Sequence, residues 1–128
     1  MATDTCFADF NGPVSVSGVN NIPAKDPDQL KAAIALGVTA VTVDADSTVF
    51  RNYASGVVTG TECGTKLDHA IAAVGYGTDE NGIDYFLVRN SWGEGYGDKG
   101  YIKIGRDNSE DEWGVCGILE ISNYPTTN

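Results

Sequence analysis

His69 is the only histidine in the chain, which makes it the expected general base for chemistry near neutral pH. Asn90 follows 21 residues on, at the end of a β-prone run that is placed to pair with the one His69 opens. Between the two runs, Thr78-Asp79-Glu80-Asn81-Gly82 carries an Asn-Gly pair, the strongest short hairpin signal. A closed hairpin brings the strand ends together and puts the amide within reach of the imidazole. A neutral amide fixes the ring's orientation and tautomer without adding a charge. That suits a base whose protonated form must pair with a thiolate. Taken alone, the pair reads more simply as a surface histidine beside a structural asparagine; its flanks have to decide.

The cysteines Cys6, Cys63 and Cys116 are odd in number, so one thiol is left unpaired within the chain. There is no Cys-x-x-Cys, and His69 stands six residues from Cys63, so no metal site is expected and no cofactor is implied. The 128 residues, 41% hydrophobic and 20% charged, fit one globular domain. Acidic residues outnumber basic ones 18 to 8, for a formal charge of −10. A surface of that sign repels phosphate, which argues against nucleic acid and membranes as partners. No apolar run approaches the ~18 residues of a spanning helix. Met1-Ala2-Thr3-Asp4-Thr5 has neither the basic start nor the apolar stretch of a signal peptide.

The elements that must hold His69 and Asn90 are mostly strands. Residues 1–25 are rich in Asn, Gly, Pro and Ser, with β-prone runs such as Val14-Ser15-Val16-Ser17, and are expected to form an irregular arm. One helix is well signalled: Asp26 as cap, Pro27 at the first position and Gln29 at capping-box spacing. Leu30, Ala33 and Ile34 follow at helical intervals, with Gly37 as the stop. Strands are expected at Thr39–Val43, from Ala70 into Gly75-Tyr76-Gly77, at Tyr85–Val88, at Tyr101–Ile104 and, as a last strand, at Ile118–Ile121. Thirteen of the 16 glycines lie between Gly56 and Gly117, punctuating these strands.

From Cys63 onward the sequence resembles the C-terminal half of papain-like cysteine proteases. The matching stretches are Cys63-Gly64-Thr65-Lys66-Leu67-Asp68-His69-Ala70, Ala73-Val74-Gly75-Tyr76-Gly77 and Val88-Arg89-Asn90-Ser91-Trp92-Gly93. They continue with Gly97-Asp98-Lys99-Gly100-Tyr101-Ile102 and Gly114-Val115-Cys116-Gly117, ending at Tyr124-Pro125. Upstream, the helix and Val41-Thr42-Val43-Asp44-Ala45 resemble the family's approach to its second domain. The resemblance implies an α+β fold, mostly antiparallel, in which one N-terminal helix packs on a partly closed, barrel-like sheet. Residues 1–25 become an inter-domain arm, and residues 26–128 the domain that carries the histidine and asparagine.

By the same resemblance His69 is the catalytic base of a peptidase, Asn90 its orienter, and Trp92 a cover over their hydrogen bond. Cys63 and Cys116 match the disulfide of the family's second domain. Thr42, Ala70 and Ile121 match positions lining the main specificity pocket, where Ile121 favours an apolar substrate side chain. Asp68 is read either as a substrate contact or as an ordinary strand-edge carboxylate. Tyr96 stands where the family usually has Trp, and a buried phenol needs a partner.

The larger departure is that the family's Cys-Gly-Ser-Cys-Trp-like nucleophile segment and its upstream Gln are missing. By the resemblance, Cys6 matches a cysteine that pairs with a partner in the family's first domain. The expectation is therefore the C-terminal domain of a cysteine endopeptidase, inactive alone, whose partners are a first domain and a peptide substrate or protein inhibitor. A free-standing binding module or decoy is the alternative. Lysosome, vacuole or secretion is implied by the family and by the need for an oxidising compartment to form the disulfide.

Overall fold

The computed structural model describes residues 15–60, 62–106 and 113–127. Part of the expected arm is a strand, β1 (Val16–Asn21), a little later than the sequence pattern placed it. Helix α1 (Pro27–Leu36) starts as its capping residues dictate, with the Asp26 carboxylate accepting the Gln29 N–H at 3.1 Å. Leu30, Ala33 and Ile34 form its buried stripe. Gly37 ends it in extended backbone, φ 167°, rather than in the left-handed cap that glycine usually supplies.

Strand β2 (Thr39–Val43) follows, then a short helix, α2 (Thr48–Arg51), capped by the Ser47 hydroxyl, which accepts the Phe50 N–H at 3.2 Å. The remaining strands are β3 (Val57–Val58), β4 (His69–Thr78), β5 (Asp84–Arg89), β6 (Tyr101–Gly105) and β7 (Ser122–Thr127). They form one seven-stranded sheet in the order β1-β7-β2-β4-β5-β6-β3. All pairings are antiparallel except the two-residue β3 beside β6. The sheet does not close, since β1 and β3 remain as edges. Phe50, Phe86, Leu30, Ile102, Ile104 and Ile118 fill the core between the sheet and the helices.

One local expectation is corrected. Ile118–Ile121 is turn rather than strand, and the last strand begins at Ser122. The cause lies just upstream, where Gly114, Cys116 and Gly117 all adopt left-handed φ values and reverse the chain through a 3₁₀ turn at Val115–Gly117. The β4–β5 connection also does more than an Asn-Gly turn requires. Its five residues are organised by Asp79, whose carboxylate accepts the N–H groups of Asn81 and Ile83, both at 2.9 Å.

Candidate active site

Side chains alternate across a strand, and this parity places the two candidate residues together. On β4, Ile71 and Ala73 face the core, and His69 has the same parity. On β5, Phe86 and Val88 are fully buried, and Asn90 continues their parity one step beyond the strand, only 2% exposed. Ala72 pairs with Arg89 and Ala73 with Val88 in this stretch, and the register shifts only beyond it, between Ala73 and Gly75.

His69 Nε2 lies 2.8 Å from Asn90 Oδ1. The same oxygen accepts the Ser91 N–H at 2.7 Å, which identifies it as the carbonyl end of the amide. A carbonyl oxygen only accepts, so Nε2 carries the ring's proton in the neutral form. The Nδ1 lone pair is then free to take a proton.

Aromatic rings enclose this pair. The Trp92 indole stacks on the imidazole, with centroids 5.1 Å apart and planes 28° from parallel. Phe50, fully buried beneath, meets His69 and Trp92 edge-on at 6.3 and 5.5 Å. Tyr96 stacks on Phe50 at 5.7 Å and donates its hydroxyl proton to the Phe50 carbonyl oxygen at 2.6 Å. That carbonyl is the partner a buried phenol requires. Burial pushes the Tyr96 phenol well above the usual tyrosine range, against an opposing hydrogen-bonding contribution from Asn90. Sequence reasoning did not find Phe50. The available signal was Ser47, a capping residue three positions before a large aromatic.

Thr42 and Ala70 face each other across β2 and β4, and the Thr42 N–H donates to the Ile121 carbonyl at 3.1 Å. The three residues thus lie side by side, one register step from the Val43–His69 pair. They stand on an open surface, with Ile121 52% exposed. Asp68 braces the strand approach. Its carboxylate accepts the Ala45 N–H at 2.8 Å, and its own N–H donates to the Val43 carbonyl at 3.1 Å.

Cys63 and Cys116 form a disulfide, both almost fully buried, and tie the approach to β4 onto the Val115–Gly117 turn. Asp44 reinforces this junction. Its N–H donates to the Cys116 carbonyl at 2.8 Å, and its carboxylate accepts the N–H groups of Lys66 and Asp46. Cys6 lies outside the described residues, and no His/Cys/Asp/Glu group suited to a metal occurs among the described ones.

A mostly antiparallel domain thus holds His69 and the buried Asn90 together at one end of its sheet. The chain belongs to the papain family of cysteine proteases, whose family model matches residues 2–126. It is 46% identical over 112 residues to germination-specific cysteine protease 1 of Arabidopsis thaliana, covering 88% of this chain and 29% of that protein. Cysteine endopeptidase RepA of Oryza sativa subsp. japonica gives the same identity and coverage. The bromelain protease of Ananas comosus, solved in complex with the E64 inhibitor, superposes with a TM-score of 0.80 at 40% identity. That match covers 87% of this chain and 50% of the bromelain chain. The chain therefore spans about 29% of the length of these two curated relatives and half of the solved bromelain chain.

Proposed function

We propose that this chain is the second domain of a papain-type cysteine endopeptidase, supplying the general base and the amide that orients it. The observation that carries the reading is the 2.8 Å contact between His69 Nε2 and Asn90 Oδ1, with Nδ1 left free. In this mechanism Nδ1 takes the proton of a cysteine thiol carried by a first domain. The thiolate then attacks the peptide carbonyl, and the imidazolium returns the proton to the departing amine. A water, deprotonated at the same nitrogen, attacks the resulting thioester; the acid leaves and the thiol is restored. Asn90 holds the ring through both half-reactions, while Trp92 keeps water from their bond.

The thiol has to come from elsewhere. Cys63 and Cys116 are consumed in a disulfide, and Cys6 matches a cysteine that pairs with the first domain. Thr42, Ala70 and Ile121 line the pocket for the second substrate residue before the cut, bordered by Asp68. The apolar Ile121 selects an apolar side chain there, since an unpaired charge is costly to desolvate. The compartment is a vacuole, a lysosome or the exterior, where the disulfide forms.

The exposed apolar side chains favour this reading over a free-standing binding module. Trp92 is 44% exposed and Ile121 52%, on the side that carries His69. A module shaped to stand alone covers or replaces such residues. The test is a peptide-substrate assay at mildly acid pH with reductant. The chain alone is expected to be inert. Co-folded with a first domain that carries the thiol, it is expected to cleave, and His69→Ala to abolish that cleavage. Turnover by the chain alone that His69→Ala abolishes, or cleavage by the pair that survives His69→Ala, contradicts the proposal.

A further inference from the structure

We propose that Asn81 is a covalent modification site, converted through a cyclic imide to aspartate and isoaspartate, and that Asp79 sets the rate by holding the turn around it. This turn closes the β4–β5 hairpin at the end opposite His69 and Asn90, so the site is separate from that pair.

The chemistry is intramolecular. The Gly82 backbone nitrogen loses its proton and attacks the side-chain carbonyl carbon of Asn81. A C–N bond forms, and the side-chain nitrogen leaves as ammonia. Water then opens the five-membered ring at one of its two carbonyls. One opening gives aspartate; the other gives isoaspartate, which carries an extra methylene in the backbone. A side chain on the following residue would crowd the attacking nitrogen, and Gly82 has none. Asn81 and Gly82 are both exposed, and no described atom lies within 4 Å of where a Gly82 Cβ would stand. Water therefore has access to the reacting groups.

The turn opposes the reaction. The Gly82 N–H, whose proton must be lost, donates to the Asp79 carbonyl at 3.1 Å. The Asp79 carboxylate accepts the N–H groups of Asn81 and Ile83, both at 2.9 Å, and the Asp79 N–H donates to the Ile83 carbonyl at 3.0 Å. Asp79 takes part in every one of these bonds. Cyclisation needs the Gly82 nitrogen released and the Asn81 backbone turned, so it proceeds from an opened turn. Asn90 offers a contrast on the same hairpin. A small residue, Ser91, follows it too, but Asn90 is 2% exposed and its Oδ1 is held by the Ser91 N–H and His69 Nε2.

Mass spectrometry of the 128-residue chain tests the proposal. The tryptic peptide Leu67–Arg89 has Asn81 as its only side-chain amide, so a gain of one mass unit there reports this residue alone. The other Asn-Gly pair, Asn11-Gly12, lies outside the described residues and falls in a different peptide. At mildly alkaline pH the native chain is expected to gain that mass, with isoaspartate among the products. The rate should be about tenfold or more below that of the chain unfolded in guanidinium chloride, the weight of a hydrogen bond to a charged group. Asp79→Ala should bring the native chain close to the unfolded rate, while the peptide Asn90–Lys99 keeps its mass. A native chain whose Leu67–Arg89 peptide gains no mass overturns the site. A native rate equal to the unfolded one, or an Asp79→Ala rate equal to wild type, overturns the role of Asp79.

Should the variant not fold, amide exchange in the wild-type chain decides. Exchange of the Gly82 N–H and cyclisation at Gly82 need the same opening, so the two are expected to be slowed by the same factor relative to the unfolded chain. Slow conversion beside a freely exchanging Gly82 N–H contradicts the proposal.

Discussion

The imidazole of His69 and the indole of Trp92 lie stacked at 5.1 Å, with Phe50 edge-on to both from the buried side. One face of the histidine is therefore covered by a ring that is itself 44% exposed. On the proposed reading, this ring keeps water from the bond beneath it. Trp92→Ala is expected to leave the thermal midpoint within a few degrees, as for other half-exposed positions. In the assembled peptidase it should lower kcat/KM by about tenfold or more, since the His69–Asn90 bond becomes open to water. Parallel melting curves and steady-state kinetics separate the two effects; equal activity with and without the indole contradicts the assignment.

His69 and Asn90 are predicted to fail differently. Removing the base by His69→Ala should lower kcat of the assembled enzyme by about 10⁶-fold, as losing the base of a catalytic triad does. Asn90→Ala leaves the base in place but free to turn, and a loss of about 10²-fold is expected for misorientation of that kind. The double variant should be no worse than His69→Ala alone, because the amide acts only through the ring. Additive losses in the double variant would show that Asn90 does something else.

The disulfide closes a loop of 53 residues between two almost fully buried sulfurs. In the chain-entropy model a bridge of that span stabilises by about 4 kcal/mol. Replacing both cysteines by serine adds two buried hydroxyls, so the measured loss of stability should be at least that large. Denaturant unfolding of the chain, oxidised and as the Cys63→Ser/Cys116→Ser variant, measures it. A difference below about 1 kcal/mol would mean that Asp44 and its backbone contacts hold the junction without help.

Alkali should find a weak point in the aromatic cluster. Burial raises the phenol pKa of Tyr96, and burial also raises that of Tyr53 despite an opposing backbone hydrogen bond from Lys103. An unfolded tyrosine ionises near pH ~10, so above that pH the unfolded chain holds fewer protons than the folded one. Stability is then complete below pH ~10 and declines as pH rises toward the folded values. Tyr96→Phe should flatten the alkaline limb of a stability–pH curve. Phenolate absorbance from these two residues appearing before the fold is lost would contradict the assignment.

Much of this architecture was legible from local signals. Asp26, Pro27 and Gln29 fix the start of α1, and the β-branched run Thr39–Val43 is β2. The His69–Asn90 contact followed from a hairpin that brings two strand ends together, a short-range property. What escaped depends on long-range or left-handed backbone geometry. Ile118–Ile121 has strand-like residues but follows three left-handed positions that turn it out of the sheet. Phe50 sits on a helix too short to announce itself, and its carbonyl reaches Tyr96 across 46 residues. No local pattern carries such a contact. Thr42, Ala70 and Ile121 come from three distant segments, and only the sheet order β7-β2-β4 explains their adjacency.

The central claim is that this domain completes a larger peptidase, and the mass of the native protein tests it most directly. An antibody raised against the chain, used on a reduced extract of its source, should detect a band near twice 13.5 kDa, or a larger band with a pro-segment attached. A thiol-directed covalent inhibitor should label that same band. A single species at 13.5 kDa that takes up no such label would contradict the claim and leave His69 and Asn90 without a nucleophile to serve.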